Sequence, residues 1–373
     1  MILGSGLIQS ADTWPKASDW IVKDEFTDTR AAGSVNGTAA TPGPGTRAVT
    51  DTESKLSVGG GALAIGAKSV LAGGDPAVWY GSIPRTAGVA FFSDITAPDS
   101  GTSAFFGFDN DTSGFANANF FALASVALYA RNGGVSVSVG NFPAASGRKT
   151  CLILRSSGAL FFVKTDVGKW ILLWIDSANS AATLYPHIHN YSAVTLSATS
   201  LRCIALPAPF DTDAGLATDT HSGAVSAGTT FTHESDVWME FIATTVPSGD
   251  SIDVQFRKAD SLNYWICRIN SSGDISLEEV VDGSETQRGL AAGVVSNGHR
   301  VVIIADDESI RVLSNNTSRI SYGSAASAKT ATAGEVDALG TGGAVSNVYT
   351  WPRTLGATAE TTQAASILNK VSA

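Results

Sequence analysis

"KLSVGGGALAIG", Lys55 to Gly66, sets three glycines between two short apolar runs. Leu56 and Val58 flank a serine, and Leu63 and Ile65 repeat the spacing after Gly59, Gly60 and Gly61. Period two on both sides of a flexible tripeptide predicts a strand, a tight turn or bulge, and a second strand. The glycines are there for positive φ and close backbone approach, not for chemistry. A phosphate cradle would need a Lys-Ser/Thr pair and a following helix, and neither is present.

The same alternation recurs along the chain. "GGVSVSVGNF" puts Val135, Val137 and Val139 on one face and Ser136, Ser138 and Gly140 on the other, as in a sheet with one wet face. "SIDVQFRK" turns Ile252, Val254 and Phe256 inward and Asp253, Gln255 and Arg257 outward. "KWILLWID" is apolar on both faces from Trp170 to Ile175, which predicts a central strand covered on both sides. Helical periodicity is confined to the last turns, "TAETTQAASILNKVSA". The expected fold class is all-β.

Charged residues make up only 16% of the 373, and Gly, Ala, Ser and Thr are plentiful, a balance suited to strands and turns. The length allows two domains of ordinary size. A net charge of −10 excludes a nucleic-acid partner, because phosphate binding needs a surplus of Lys and Arg. The N-terminus has no basic residue before Lys16 and no long apolar core, so no signal peptide is expected. No stretch approaches a membrane span. Cys151, Cys203 and Cys267 are odd in number and far apart; Cys151 and Cys267 are expected at buried strand positions, in a chain made in a reducing cytoplasm.

A weak internal repeat points to two copies of one unit. "CLILRSSGALFFVKT" and "CRINSSGDISLEEV" each run an apolar strand into Ser-Ser-Gly and return as a strand. "KWILLWIDSANSAATLYP" and "HRVVIIADDESIRVLSNN" follow in the same order. Between the copies, "IALPAPFDTD" is a natural linker, which places the boundary near Pro207. The expected division is an N-terminal arm (1–21), a first β-sandwich (22–206) and a second (207–373) with a short C-terminal tail. "GSAASAKTATAGEVDALGTGG" is expected to be a flexible loop.

Units of this size fit a jelly-roll sandwich better than an immunoglobulin domain. The opening "DEFTDT", the Gly-rich "SKLSVGGGALAIG", the Ser-Ser-Gly hairpins and the closing "VSNVYTWPRTL" resemble concanavalin A-like, laminin G-like domains across most of residues 22 to 356. The whole also resembles large structural proteins of tailed bacteriophages, in which such domains decorate tails or heads. The resemblance implies two tandem concanavalin A-like jelly-roll sandwiches. It leaves function open, since such domains serve as lectins, polysaccharide-cleaving enzymes and structural modules.

Glycoside hydrolysis needs two carboxylates flanking the bond. Laminarinase-like enzymes of this fold carry Glu-x-Asp-x-x-Glu on one strand; here Asp253 holds the middle place, but Ser251 and Phe256 replace both glutamates. Glu278 and Glu279 are adjacent and so face opposite ways on a strand. The chain is therefore expected to be no enzyme. "GFDNDTSG" sets Asp109, Asp111 and Ser113 as the first half of a calcium loop, but Phe120 stands where a bidentate Glu belongs, so a plain acidic turn is the simpler reading. His187 and His189 in "YPHIHNY" share a face without an identifiable third metal ligand and are expected to be exposed. No resident cofactor is expected beyond that calcium candidate.

Sugars stack on exposed aromatic faces, which makes Trp79, Tyr80, Tyr264, Trp265 and Trp351 candidates, although each is core by default. The outward row Asp253, Gln255 and Arg257 becomes a binding face only where it lines a concavity. Residues 1 to 21 hold Ile2, Leu3, Leu7, Ile8, Trp14 and Trp20, more apolar surface than a free tail shows. Such an arm packs on a neighbouring subunit or folds back on its own domain. The reading is a non-enzymatic phage virion protein, a tail fibre or head decoration, that assembles with its own copies and other virion proteins and displays loops to a host-surface glycan. The alternatives are a soluble bacterial lectin and a polysaccharide depolymerase with carboxylates from separate strands.

Overall fold

The structure, a computed structural model, describes residues 14–67, 76–96, 103–110, 119–124, 127–132, 135–141, 148–177, 181–208, 210–213, 215–355 and 359–372. It separates into two compact units. The second is Leu216–Thr354, and the first comprises the chain through Gly215 together with Leu355 onward.

In the first unit the described strands are β1 (Trp20–Asp24), β2 (Ala48–Thr50), β3 (Leu56–Gly59), β4 (Ala62–Ile65), β5 (Ala77–Trp79), β6 (Ile83–Pro84), β7 (Val89–Thr96) and β8 (Ser103–Asp109). They continue as β9 (Asn119–Ala124), β10 (Ala127–Asn132), β11 (Val135–Asn141), β12 (Arg148–Leu154), β13 (Ala159–Lys164), β14 (Trp170–Asp176), β15 (Thr183–Asn190) and β16 (Leu196–Ala205). One sheet runs β14-β13-β12-β7-β16-β4-β3, with β1 also on β16; the other runs β11-β10-β9-β8-β15-β5-β2, with β6 also on β15. Phe91 on β7 meets Phe108 on β8 edge to face at 5.6 Å, and Phe161 on β13 meets Phe121 on β9 at 5.1 Å, so aromatic pairs join the two sheets.

The second unit holds β17 (Asp219–Val225), β18 (Thr229–Thr232), β19 (Val237–Thr245), β20 (Ser251–Phe256), β21 (Tyr264–Asn270) and β22 (Ile275–Val281). It ends with β23 (Ser284–Ala291), β24 (His299–Asp306), β25 (Ser309–Ser314), β26 (Thr317–Tyr322), β27 (Ala333–Ala338) and β28 (Ala344–Pro352). Its sheets run β26-β25-β24-β19-β28-β17 and β23-β22-β21-β20-β27-β18. Met239 and Phe241 from one sheet and Val254, Trp265 and Cys267 from the other share one core.

Laid side by side, the two pairs of sheets have the same order when β4 is matched to β17, β5 to β18 and β7 through β16 to β19 through β28. The chain is two tandem jelly-roll sandwiches built on one repeated topology. The repeat seen in the sequence is nevertheless out of register. The first Ser-Ser-Gly hairpin joins β12 to β13, whose counterparts are β24 and β25; the second joins β21 to β22, the counterparts of β9 and β10. The two hairpins look alike because a tight return demands the same residues wherever it occurs. Gly158 and Gly273 sit at φ +86° and +73°, and a Cβ on either would come within 2.0 Å and 2.3 Å of a backbone oxygen, of Asp176 and Val295.

The opening stretch folds as expected into β3 and β4, with Leu56, Val58, Leu63 and Ile65 buried. Gly60 and Gly61 form its two-residue turn at φ +63° and +78°; a Cβ on Gly59, Gly60 or Gly61 would meet nothing within 4 Å, so the need is backbone conformation alone.

Several expectations change. β14 ends its sheet instead of lying at the centre, and the C-terminal helix α1 (Ala359–Ser372) packs on that sheet, reaching Trp170 of β14, Lys149 of β12 and Arg202 of β16. Asn369 accepts a hydrogen bond from Trp170 Nε1 at 3.2 Å, while Lys149 and Arg202 donate to the carbonyls of Ser372 and Val371. Ala364, Ile367, Leu368 and Val371 form the buried stripe. Residues 355–373, expected as a tail of the second sandwich, thus belong to the first. The linker also belongs there as far as Gly215, because Phe210 is buried and Gly88 packs against Asp211. The tract expected as a flexible loop contains β27, which pairs with β18 and β20. Cys151 and Cys267 are buried strand residues, as is Cys203, and all three are free.

Candidate functional site

The side chains of the β20–β23 sheet alternate between core and outer face. Trp265, Cys267 and Ile269 on β21 enter the core, which turns Tyr264, Ile266, Arg268 and Asn270 outward. On β20 Ile252, Val254 and Phe256 point in and Asp253 and Gln255 out; on β22 Ile275 and Leu277 point in and Ser276 and Glu278 out. Register sets Arg268 beside Asp253 on one side and Ser276 on the other, and Glu278 opposite Gln287.

This face carries a groove of ≈ 440 Å³ over β21, β22 and β23, lined among others by Arg268, Asn270, Ser276, Glu278, Glu285 and Gln287. Arg268 is held on both sides: Nη2 lies 2.9 Å from Asp253 Oδ2 and Nη1 2.5 Å from Glu285 Oε1. Those two carboxylates, Asp253 first, raise its pKa and keep the guanidinium charged. At the hairpin, Asn270 Nδ2 and the Gly293 N–H donate to Asp274, at 2.9 and 2.7 Å, and hold its carboxyl below the usual range. Leu290 stands at the rim, 55% exposed.

Glu278 differs from its neighbours. It is only 5% exposed, lines the groove, and takes part in no hydrogen bond or ion pair among the described residues. Glu279, facing the other way as expected, is engaged by Arg288 at 2.6 Å and by the Ser327 hydroxyl. Gln255 lies on the groove's face at 5% exposure, with its Oε1 unpaired among the described residues.

The aromatic candidates lie elsewhere. Trp79 is 1% exposed and stacks on His187, with centroids 4.8 Å apart. Tyr80 is equally buried and donates its hydroxyl to Asp24 at 2.8 Å; burial first, and then the Asp24 charge, raise the phenol's pKa well above its ordinary value. Both border an apolar pocket of ≈ 530 Å³ in the first unit but offer no ring face to a sugar. Trp265 is core, with its indole donating to the Ser327 carbonyl at 3.0 Å, and Trp351 is buried edge-on to Tyr349. Tyr264 alone of the five is half-buried, on the groove's face, with Lys258 Nζ 5.9 Å from its ring centre.

Arg257 leaves the outward row because β20 ends at Phe256 and the backbone turns left-handed, φ +46°. Its buried guanidinium donates instead to the carbonyls of Ser235 and Asp307. Asp253 and Gln255 do face outward, yet neighbouring strands bury them, and the concavity lies beside them on β21–β23.

Asp109 is fully buried and accepts from the N–H of Asn110 at 2.7 Å; Asp111 and Ser113 lie outside the described residues. Among the described residues no three His, Cys, Asp or Glu side chains gather as a metal set. His187 and His189, expected at the surface, are fully buried on β15. Of the arm, Trp14 is buried and Trp20 opens β1, which pairs with β16, so the first sandwich begins before residue 22. Ile2, Leu3, Leu7 and Ile8 lie outside the described residues.

A second polar cluster escaped the sequence reading. Arg47, fully buried, is gripped by Asp24 at 2.6 Å and Asp28 at 2.9 Å over the ring of Phe26. Hydrogen bonding from Arg47 holds the Asp28 carboxyl far below the usual carboxylate range. The cluster ties the end of β1 to the residue before β2 and gives "DEFTDT" a structural role.

The sequence matches no family model and no curated protein sequence. Among solved structures, the chain is similar to an endo-β-1,3-glucanase from Pyrococcus furiosus, with 9% identity, 50% of this chain and 94% of that one covered, and a TM-score of 0.35. Domains LG4-5 of the mouse laminin α1 chain cover 72% of this chain and 84% of their own at 13% identity and a TM-score of 0.26. A Caenorhabditis elegans galectin covers 34% and 92% at 7% identity and 0.30. Overlaps this low leave the assignment to the strand order, which makes the chain two jelly-roll β-sandwiches of one repeated topology.

Proposed function

We propose that the protein is a non-enzymatic glycan-recognition module whose binding face is the β21–β23 groove. The observation behind this reading is the set of groups on a shallow concavity: amides from Asn270 and Gln287, the Ser276 hydroxyl, the Glu278 carboxylate and the apolar Leu290 at the rim. Ring hydroxyls need paired donors and acceptors, and their C–H faces need apolar surface. The non-enzymatic reading draws support from Arg268, which occupies both Asp253 and Glu285 and leaves Glu278 without the second uncommitted carboxylate that glycosidic cleavage requires. The wider setting, display on a tailed-phage particle among copies of itself and other virion proteins, draws on the sequence resemblance.

The test is a pull-down against bacterial surface polysaccharides that also assays new reducing ends. Binding without cleavage is expected, lost in Gln287→Trp, which fills the groove from an exposed position with the fold intact. New reducing ends would end the non-enzymatic reading; full binding by Gln287→Trp would move the site elsewhere.

A further inference from the structure

A carboxylate set into a groove wall with most of its side chain covered is ordinarily met by an Arg, a Lys or several N–H groups. Glu278 has none of these among the described residues, although it is nine-tenths buried and opens onto the groove. Its neighbour Arg268 cannot serve, since Asp253 and Glu285 already bracket that guanidinium. The groove wall carries three carboxylates, Asp274, Glu278 and Glu285, against the single cation Arg268. Asp274 is satisfied by Asn270 and Gly293, so Glu278 is left as the one uncommitted carboxylate on that wall.

We propose that Glu278 receives the protonated amine of an amino sugar, so that the groove selects glycans with free amines over N-acetylated or acidic ones. The inference rests on the glycan-binding reading and specifies its ligand class. An ammonium donates up to three hydrogen bonds and brings the missing positive charge, whereas an N-acetyl group brings one N–H and no charge. A uronic or sialic carboxylate would meet a wall of its own sign and an Arg already bracketed by two carboxylates.

The experiment compares the trisaccharide of glucosamine with that of N-acetylglucosamine, by calorimetric titration of the full chain at pH 6. The free-amine sugar is expected to bind at least about tenfold more tightly. Glu278→Gln should remove that preference, while Asp166→Asn, an equal change in net charge at an exposed site of the first unit, should keep it. A second measurement needs no variant: raising the pH to 9 strips the amine of its proton and should bring the two affinities together. Equal binding at pH 6, a preference for the acetylated sugar, or a preference that survives Glu278→Gln would each overturn the inference and leave the glycan-binding reading standing. If neither trisaccharide binds, the amine inference falls; if the polysaccharide panel is silent too, the glycan-binding reading falls with it.

Discussion

Burying an imidazole ring against an indole gives His187 a thermodynamic role. Burial first, with His189 nearby, pushes its pKa down to about 3, while in the unfolded chain it titrates near about 6.5. Between those values the unfolded state binds the extra proton. The His187 contribution is therefore fully present above about pH 6.5 and is lost as pH falls toward 3, at up to about 1.4 kcal/mol per pH unit for one proton. His187→Phe, which keeps a ring against Trp79, should flatten that slope. Urea unfolding at pH 7 and pH 5 would show the native chain losing more stability than the variant, and equal losses would mean that the imidazole is already paired as a cation. The burial of this pair was not visible in "YPHIHNY", because alternation gives a shared face but not which face is covered. The same limit explains the site. Period two put Asp253 and Gln255 on the correct face, but the Arg268 to Glu285 contact spans 17 residues, and no local pattern announces it.

At the scale of elements, α1 was legible from its spacing and its address was not. Ala364, Ile367, Leu368 and Val371 follow helical periodicity, yet nothing local says that the helix crosses back to the first sandwich to cover Trp170. Deleting residues 359–373 should strip Trp170, Lys149 and Arg202 of their hydrogen-bond acceptors and cost the first unit a few kcal/mol, given about 1.5–3 kcal/mol per large buried side chain before ordering entropy. Calorimetry should show a lowered transition for the first unit and an unchanged one for the second. An unshifted first transition would mean that the helix adds little to the sandwich it covers. Strands and their glycine turns were readable because each needs only its own neighbours, as β3–β4 shows. The repeat was misregistered for the same reason: Ser-Ser-Gly marks a tight return, and a jelly roll makes such returns in both sheets, so equivalence between copies lies in sheet order alone.

At the scale of the molecule, the sequence of the second unit is inserted into that of the first. β17 and β28 lie side by side, Asp219 opposite Thr350, and the Thr218 N–H donates to the Thr350 carbonyl at 2.7 Å, so the chain enters and leaves this sandwich at one place. A unit whose ends meet and whose core comes from its own two sheets should fold when cut out. The first unit needs chain from both sides of the insertion, because α1 returns only after residue 354. Two molecules test this: residues 216–354 alone, and the first unit with Gly215 joined to Leu355 through a short Gly/Ser linker. Each should give a single cooperative urea transition and a β-type circular dichroism spectrum. The joined first unit should be more stable than residues 1–215 alone, the difference being the contribution of α1. A 216–354 fragment that stays unfolded would show that the second sandwich depends on the chain around it, and the order of folding would then run from the outer unit inward.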